Sequence, residues 1–448
     1  MASTSSLERR RAPRRARRRS IRAAERRQPS LRRRRPSLRL EPPRRRRSLL
    51  VWAAGGTCLT LVGAAASLGW PASSLLTPNR PDGNTVWSWI YLGLIVAAFV
   101  LYLAGLALIA RGAVSRTTGV LAVAAAIQLA PLAAPVLLST DVYTHWDYGR
   151  LGAVYGDNPY VDTPRKHYLD PAFGRMGDQW LDTTTVYGPA FTLASEGHAA
   201  VVGESASAAA WTYKALAALA MLLMVWLAAR VAPRPALAAA FIGWNPLLAI
   251  HFAGGGHNDA WMMALVLGAI ALAASGRRQL AGAAWALSIA VKWVAIIFLP
   301  LRALEARHDR RAVGHLGFAA AALVIATVAT WRYGTGWLDA LGPVAHNLRG
   351  GARYSIPSRM EFFGLPHSVA VGLFAGLFGI GYLWLLREAW RGRARLGLAA
   401  GFLVAATPWL VPWYAVWTVP LAAIEEDRTA RLLALALCAY LLRDAVPL

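Results

Sequence analysis

With 448 residues, 56% of them hydrophobic, and a mean hydropathy of +0.38, the chain is too apolar for an ordinary soluble protein of its size. Its formal charge of +25 points to nucleic acid only until it is located, because 20 Arg and three Glu lie in residues 1–47, leaving +8 for the rest. Both cysteines, Cys58 and Cys438, sit inside apolar runs, which excludes a disulfide framework and a Cys-based metal site.

The tail, residues 1–47, is Arg, Pro and Ser with almost nothing to bury, so it is expected to be disordered. It can touch anionic lipid or nucleic acid, but it serves more simply as a cytoplasmic anchor under the positive-inside rule, and no nucleic-acid partner is expected. The long apolar run that follows is not a secretory signal.

About 20 apolar residues cross a hydrocarbon core, and windows of that length recur from Ser48 onward. The first span is predicted at Ser48 to Trp70, leaving the cytoplasm, the second at Trp87 to Ala110, and the third at Thr117 to Leu138. Residues 139–207 then lie outside. Gly188 to Gly203 is short and interrupted by Glu196 and His198, which suits a helix on the outer leaflet.

Spans at Ala208 to Ala229, Ala236 to Phe252 and Trp261 to Ala274 follow, with the turn 253–259 outside. Residues 280–300 have basic flanks on both sides, so they are expected to form a re-entrant pair of half helices turning near Lys292. Spans near Gly314 to Thr330 and His367 to Leu386 bracket an external loop, 334–366. The ninth, Leu398 to Val419, is broken by Pro408 and Pro412, and the tenth begins at Leu432 and puts the C-terminus in the cytoplasm. The predicted fold is an all-α polytopic domain, residues 48–448, with about ten full spans, one re-entrant pair and an external juxtamembrane helical loop.

Residues 139–188 hold seven of the chain's 23 acidic residues and nine aromatic ones. Asp141 follows Ser139 and Thr140, either of which can cap a helix whose first turn favours an acid. That helix should lie along the surface to about Tyr155, with Asp141, His145 and Tyr148 on one face and Asp147 roughly 120° away. At a low-dielectric mouth the Asp141 carboxyl is expected to titrate high and to serve as a base; alternatively it only satisfies the helix terminus. Asp147 is the rival base. Thr185-Val186-Tyr187-Gly188-Pro189 closes the loop, its Pro suited to a first helical turn.

The turn Gly254-Gly255-Gly256-His257-Asn258-Asp259 permits close backbone approach, yet no phosphate-loop pattern accompanies it. His257 and Asp259 can bind a hydroxylated ligand or begin a metal site; no metal ligand set is assigned, and a divalent cation stays open because the third and fourth ligands are missing. Lys292 lies mid-way along an apolar run, where an ammonium marks a functional site, and it is expected to face a phosphate in a polar cavity. Arg349, Arg353 and Arg359 stand in the external loop against the positive-inside rule, as a lipid-phosphate cluster or as plain surface.

Taken together, DVYTHWDYGRLGAVYGDNPY, VYGP, GWNPLLAIHFAGGGHNDAWMMAL, AVKWVAIIFLP and VPWYAVW resemble the membrane-embedded GT-C glycosyltransferases, most closely the actinobacterial polyprenol-phosphomannose-dependent α-1,6-mannosyltransferase group. The resemblance covers Ser139 to about Pro300 and Thr407 to Trp417. It implies a plasma-membrane enzyme with an external site that moves mannose from polyprenyl-phosphate mannose to a glycan or lipoglycan hydroxyl, with inversion. Asp141 would deprotonate the acceptor. Lys292, with Arg349, Arg353 and Arg359, would steady the departing phosphate. His145, Tyr148, Tyr187, His257, Asn258 and Asp259 are the candidate substrate-binding residues. Other readings are a flippase of a lipid-linked saccharide, a scaffold for envelope enzymes, or a related enzyme using another polyprenyl-phosphate sugar such as arabinose. A transporter would gather its polar groups near the midplane between repeats, whereas here most lie in outer loops.

Overall fold

A computed structural model describes residues 44–71, 73–76, 85–114, 116–308, 314–352 and 355–444. The Arg-rich tail before them lies outside the described residues, as do Arg353 and the side chain of Arg349.

Every regular element among these residues is helical. Five helices are long and apolar enough to cross a bilayer: α1 (Arg44–Ser67), α2 (Val86–Ala110), α6 (Ala206–Val231), α12 (His315–Tyr333) and α15 (His367–Trp390). A sixth is formed if α7 (Pro235–Gly243) and the bent continuation that begins with α8 (Pro246–Ala249) count as one, the two meeting at 52°. The bend has a local cause. Pro246 cannot donate to the preceding turn, and Asn245 caps the new helix by accepting from the amides of Leu247 and Leu248.

Shorter helices pack among these. They are α3 (Thr117–Leu129), α4 (Asp141–Ala153), α5 (Pro189–Val202), α9 (Asp259–Ala274), α10 (Arg278–Val291), α11 (Phe298–Glu305), α13 (Leu341–Gly350), α14 (Ile356–Arg359), α16 (Leu396–Ala406), α17 (Ala415–Ile424) and α18 (Arg428–Asp444). Helices α10 and α12 touch backbone to backbone, since a Cβ on Gly282 would stand 2.0 Å from the Gly314 carbonyl oxygen. Such approach is available only to small residues.

One end of the bundle collects the segments expected outside. The Leu137 amide donates to the Gly254 carbonyl, Leu138 to Leu75, Gly188 to Val291, and Ala352 to Pro408. Helix α5 stays at this end, lying along α4 with its start beside α10. The opposite end joins the basic turns. There Arg234 donates to the Ala110 carbonyl, Glu305 accepts from the Ala394 amide, and Glu425 accepts from Leu396 and Gly397.

Two expectations change. The third predicted span stops being an α-helix at Leu129, where Pro131 and Pro135 interrupt it. Leu398 to Val419 is not one crossing but a hairpin: α16 and α17 run antiparallel, with Gly397 against Ala422. Residues 407–414, with Pro408 and Pro412, turn the chain at the end that carries Asp141. The added reversal sends α18 back toward that same end, where Leu442 and Arg443 lie with Trp89 along a shared groove. The sequence reading had put the chain's last helix end and Asp141 on opposite sides.

Candidate active site

Helix α4 brings Asp141 to the mouth of the bundle. Ser139 Oγ accepts from the Asp141 amide at 3.2 Å, while Thr140 makes no side-chain cap. Leu138, immediately before, is held at φ +62, a conformation that L residues adopt only when their surroundings enforce it. Two clamps are visible. The Leu138 amide is taken by the Leu75 carbonyl, and the buried ammonium of Lys214 on α6 binds the carbonyls of Leu132, Ala134 and Pro135.

Opposite Asp141, the glycine turn places His257. Gly256 has φ +70, and a Cβ there would stand 2.5 Å from Val142 Cγ1, so the turn seats against α4 only with glycine at that position. His257 Nδ1 then lies 3.2 Å from Asp141 Oδ2. The imidazole is buried and stacks on the Trp413 indole, with centroids 3.7 Å apart at 15°.

Lys292 sits at the break after α10 with extended backbone, φ −151 and ψ 122. Its Nζ is 2.8 Å from each Asp259 carboxylate oxygen and 3.4 Å from Asn258 Oδ1. Trp417 Nε1 donates to the same Asp259 at 2.6 Å. The ammonium also faces the rings of Tyr414 at 5.4 Å, Tyr187 at 5.8 Å and Trp417 at 5.9 Å. Lys292 is therefore an ion-paired, ring-enclosed cation rather than the solitary ammonium its sequence context suggests.

Some of these groups border a cavity of about 350 Å³, while His257, Asn258 and Asp259 stand behind its wall. Asp141 and Lys292 both line it, together with Tyr187 and a set of tryptophans drawn from three segments. Trp180 comes from the loop between α4 and α5, Trp293 follows Lys292, Trp409 and Trp413 come from the α16–α17 turn, and Trp417 lies at the start of α17. The sequence reading placed VPWYAVW among its motifs but none of its rings in the site. The signal was there in the aromatic density beside two prolines; what it lacked was the hairpin that folds the turn over Lys292.

Other candidates fall behind or beyond this cavity. His145 is buried in a ring cluster with Phe191 and Tyr213, and its Nε2 lies 2.9 Å from the Tyr187 hydroxyl, so Tyr187 stands between it and the cavity. Burial lowers the His145 pKa to about 3, which keeps the ring neutral. Tyr148 donates to the Thr183 carbonyl at 2.7 Å and bounds no part of the cavity. Asp147 does not line it either. Its Oδ1 is buried without a partner, and burial together with the Asp170 charge raises its pKa to about 7, against the pull of Arg150.

Asp141 departs from expectation in its titration. Burial alone would raise its pKa, but the hydrogen bond and charge of His257, with smaller contributions from His145 and Lys292, together outweigh it, holding the group at about 2. His257 and Asp259 also turn to different partners, Asp141 and Lys292. Among the described residues no group of three or more His, Cys, Asp or Glu side chains gathers as a metal site. Arg359 lies over the Phe362 ring at 5.7 Å and is not part of the cavity wall.

A bundle of apolar helices, with a carboxylate, an enclosed cation and indoles around a cavity at one end, defines a multi-pass membrane protein. The chain belongs to the alpha-(1->6)-mannopyranosyltransferase family, whose N-terminal domain profile matches residues 48–307. The profile of glycosyltransferase family 87 matches residues 186–445. Among curated proteins it is similar to alpha-(1->6)-mannopyranosyltransferase A of Mycobacterium tuberculosis, 29% identical over 334 residues, covering 65% of this chain and 63% of that protein. A probable alpha-(1->6)-mannopyranosyltransferase of Mycolicibacterium smegmatis is 30% identical over 356 residues, 65% of this chain and 62% of the relative. Alpha-(1->6)-mannopyranosyltransferase A of Corynebacterium glutamicum is 31% identical over 174 residues, 38% of this chain and 34% of the relative. The chain thus spans less than two thirds of the length of these relatives. No solved structure matches it.

Proposed function

We propose that the chain catalyses inverting transfer of mannose from a polyprenyl-phosphate mannose to a hydroxyl of a glycan or lipoglycan, on the outer face of the plasma membrane. The observation that carries this reading is the single accessible carboxylate: of the acids near the cavity, Asp141 borders it, while Asp259 is occupied by Lys292 and Trp417. One carboxylate bordering the cavity suits a base in a single displacement and leaves no second one there to form a covalent glycosyl intermediate.

In the proposed step the acceptor oxygen bonds to the anomeric carbon as the bond from that carbon to the phosphate oxygen breaks. The acceptor proton passes to Asp141, and polyprenyl phosphate leaves with the bonding pair. Lys292, held by Asp259 and faced by three rings, adds positive potential beside the leaving phosphate. The low pKa of Asp141 makes it a weak base, adequate where the acceptor loses its proton late, after the sugar has gained oxocarbenium character. Arg359 is left without a part in this step.

Outward orientation is supported by the basic turns at the far end of the bundle, including Arg234, Arg277, Arg278, Arg391 and Arg393. In this topology the N-terminus is cytoplasmic. The α16–α17 hairpin adds one crossing to the ten expected from sequence, and α10 with α11 forms the re-entrant pair turning at Lys292.

The test is transfer of labelled mannose from polyprenyl-phosphate mannose to α-linked oligomannosides, using membranes that contain the wild type or Asp141→Asn. Wild-type transfer with a fall of at least about 100-fold in the variant is expected. An active wild type whose Asp141→Asn variant keeps most of its activity would remove Asp141 from the mechanism.

A further inference from the structure

Lys214 is a buried cation that the proposed step leaves unused. It stands eight residues into α6, about 12 Å along the helix axis, and is 2% exposed. An ammonium at such a depth is costly and marks a functional position by default. An acid usually offsets the cost, but among the described residues no carboxylate pairs with Lys214. All three of its protons go instead to backbone oxygens. Nζ lies 3.0 Å from the Leu132 carbonyl and 3.3 Å from that of Pro135, and the Ala134 carbonyl accepts the third. These carbonyls are open to it because the helix breaks around Pro131 and Pro135, which leaves no helical amides ahead to bond them.

Beyond that clamp the strap of chain leading to Asp141 is tied at each step. Leu137 donates to the Gly254 carbonyl, Leu138 to that of Leu75, and Ser139 Oγ accepts from the Asp141 amide. Leu138, at φ +62, holds a costly conformation that persists only while its flanks are fixed. The same stretch of α6 seats the glycine turn. A Cβ on Gly256 would stand 3.2 Å from the Lys214 amide nitrogen and 3.4 Å from the Tyr213 carbonyl carbon, and one on Gly254 would stand 3.1 Å from Leu137 Cδ1. The strap that ends in Asp141 and the turn that carries His257 therefore meet at α6 beside Lys214. Lys214 is not part of the cavity wall, and the charges that act on the Asp141 carboxyl are those of His257, His145 and Lys292. Its influence on the site runs through backbone position.

We infer that Lys214 is a positioning residue for the transfer step: by binding the carbonyls of residues 132, 134 and 135 it holds the strap against the glycine turn, so that Asp141 meets His257. This rests on the reading of Asp141 as the base and adds what keeps that base in place. A cation that only closed a helix end would affect stability and leave the carboxylate unchanged.

The experiment measures kcat, donor KM and the pH profile of mannosyl transfer for wild type, Lys214→Met, Lys214→Gln, His257→Ala and the double variant Lys214→Met with His257→Ala. Thermal unfolding in detergent gives the folded fraction of each. Lys214→Met keeps the side chain's length and loses its donors, so kcat should fall about tenfold or more while donor KM stays within about twofold of wild type. Its ratio of kcat at pH 5 to kcat at pH 8 should fall, as in His257→Ala. The double variant should show the fall of His257→Ala alone, because both changes remove one contact. Lys214→Gln still donates to carbonyls and should keep part of both kcat and ratio. Folded Lys214→Met with the kcat and pH profile of wild type overturns the positioning role, and so does a double variant whose pH shift is the sum of the single ones. Failure of both Lys214 variants to fold assigns the residue to stability alone and refutes the role as well. Wild-type membranes that transfer no mannose overturn the glycosyltransferase reading, and this inference with it.

Discussion

Lys292 stands 2.8 Å from both oxygens of Asp259, and this pair is the electrostatic centre of the site. Asp259 is 1% exposed and Lys292 17%, so neither charge is left to bulk water. Removing one partner strands the other. Asp259→Asn and Lys292→Met are each expected to destabilise the protein by about 3 kcal/mol or more, and the double variant to regain most of that loss. Activity should not return in the double variant if the cation acts on the leaving phosphate. Thermal unfolding in detergent, beside the transfer assay, separates the two effects.

The Asp141–His257 contact predicts a pH signature. With its pKa held at about 2, Asp141 stays ionised throughout the working range, so the acidic limb of wild-type kcat should not report it until very low pH. His257→Ala deletes the hydrogen bond and leaves burial to act, moving the Asp141 pKa upward. The acidic limb should then shift to higher pH, with kcat reduced at pH 5 more than at pH 8. An unshifted profile would mean that His257 does not tune the carboxylate.

Asp147 makes an opposite, stability-based prediction. Its folded pKa is raised to about 7 from the ordinary carboxylate value of 3.8, so between these values the folded state holds a proton that the unfolded state has lost. Stability therefore falls as pH rises across that window and levels off above it. Asp147→Asn cannot ionise, so the variant should be more stable than wild type at pH 8, by about 1 kcal/mol or more, while keeping transfer activity. Loss of transfer in Asp147→Asn with Asp141→Asn still active would reverse the assignment of the base.

The hairpin of α16 and α17 predicts sidedness. Single cysteines replacing Asp178 and Arg443 should react with a membrane-impermeant maleimide from the same side, and one replacing Arg277 from the other. All three are exposed, whereas native Cys58 and Cys438 are buried. Labelling of positions 443 and 277 from a common side would refute the hairpin.

Much of this protein was legible without coordinates. Apolar length fixed an all-helical membrane domain, because a spanning backbone must satisfy its own hydrogen bonds. Charge location set the basic turns apart from the acidic loop, and Asp141, the glycine turn and Lys292 were found because polar residues in apolar context are costly and therefore informative. Partnership and direction were not legible. Nothing in the spacing of Asp259 and Lys292 says that they pair, since α9 and α10 must first return antiparallel to bring them together. Whether Leu398 to Val419 crosses or turns back depends on how two proline-broken halves pack, and hydropathy is blind to it. That packing turned three tryptophans from interface residues into cavity wall. It also gave Asp141 a histidine whose hydrogen bond and charge, together with the charges of His145 and Lys292, outweigh the desolvation that sequence position alone would predict.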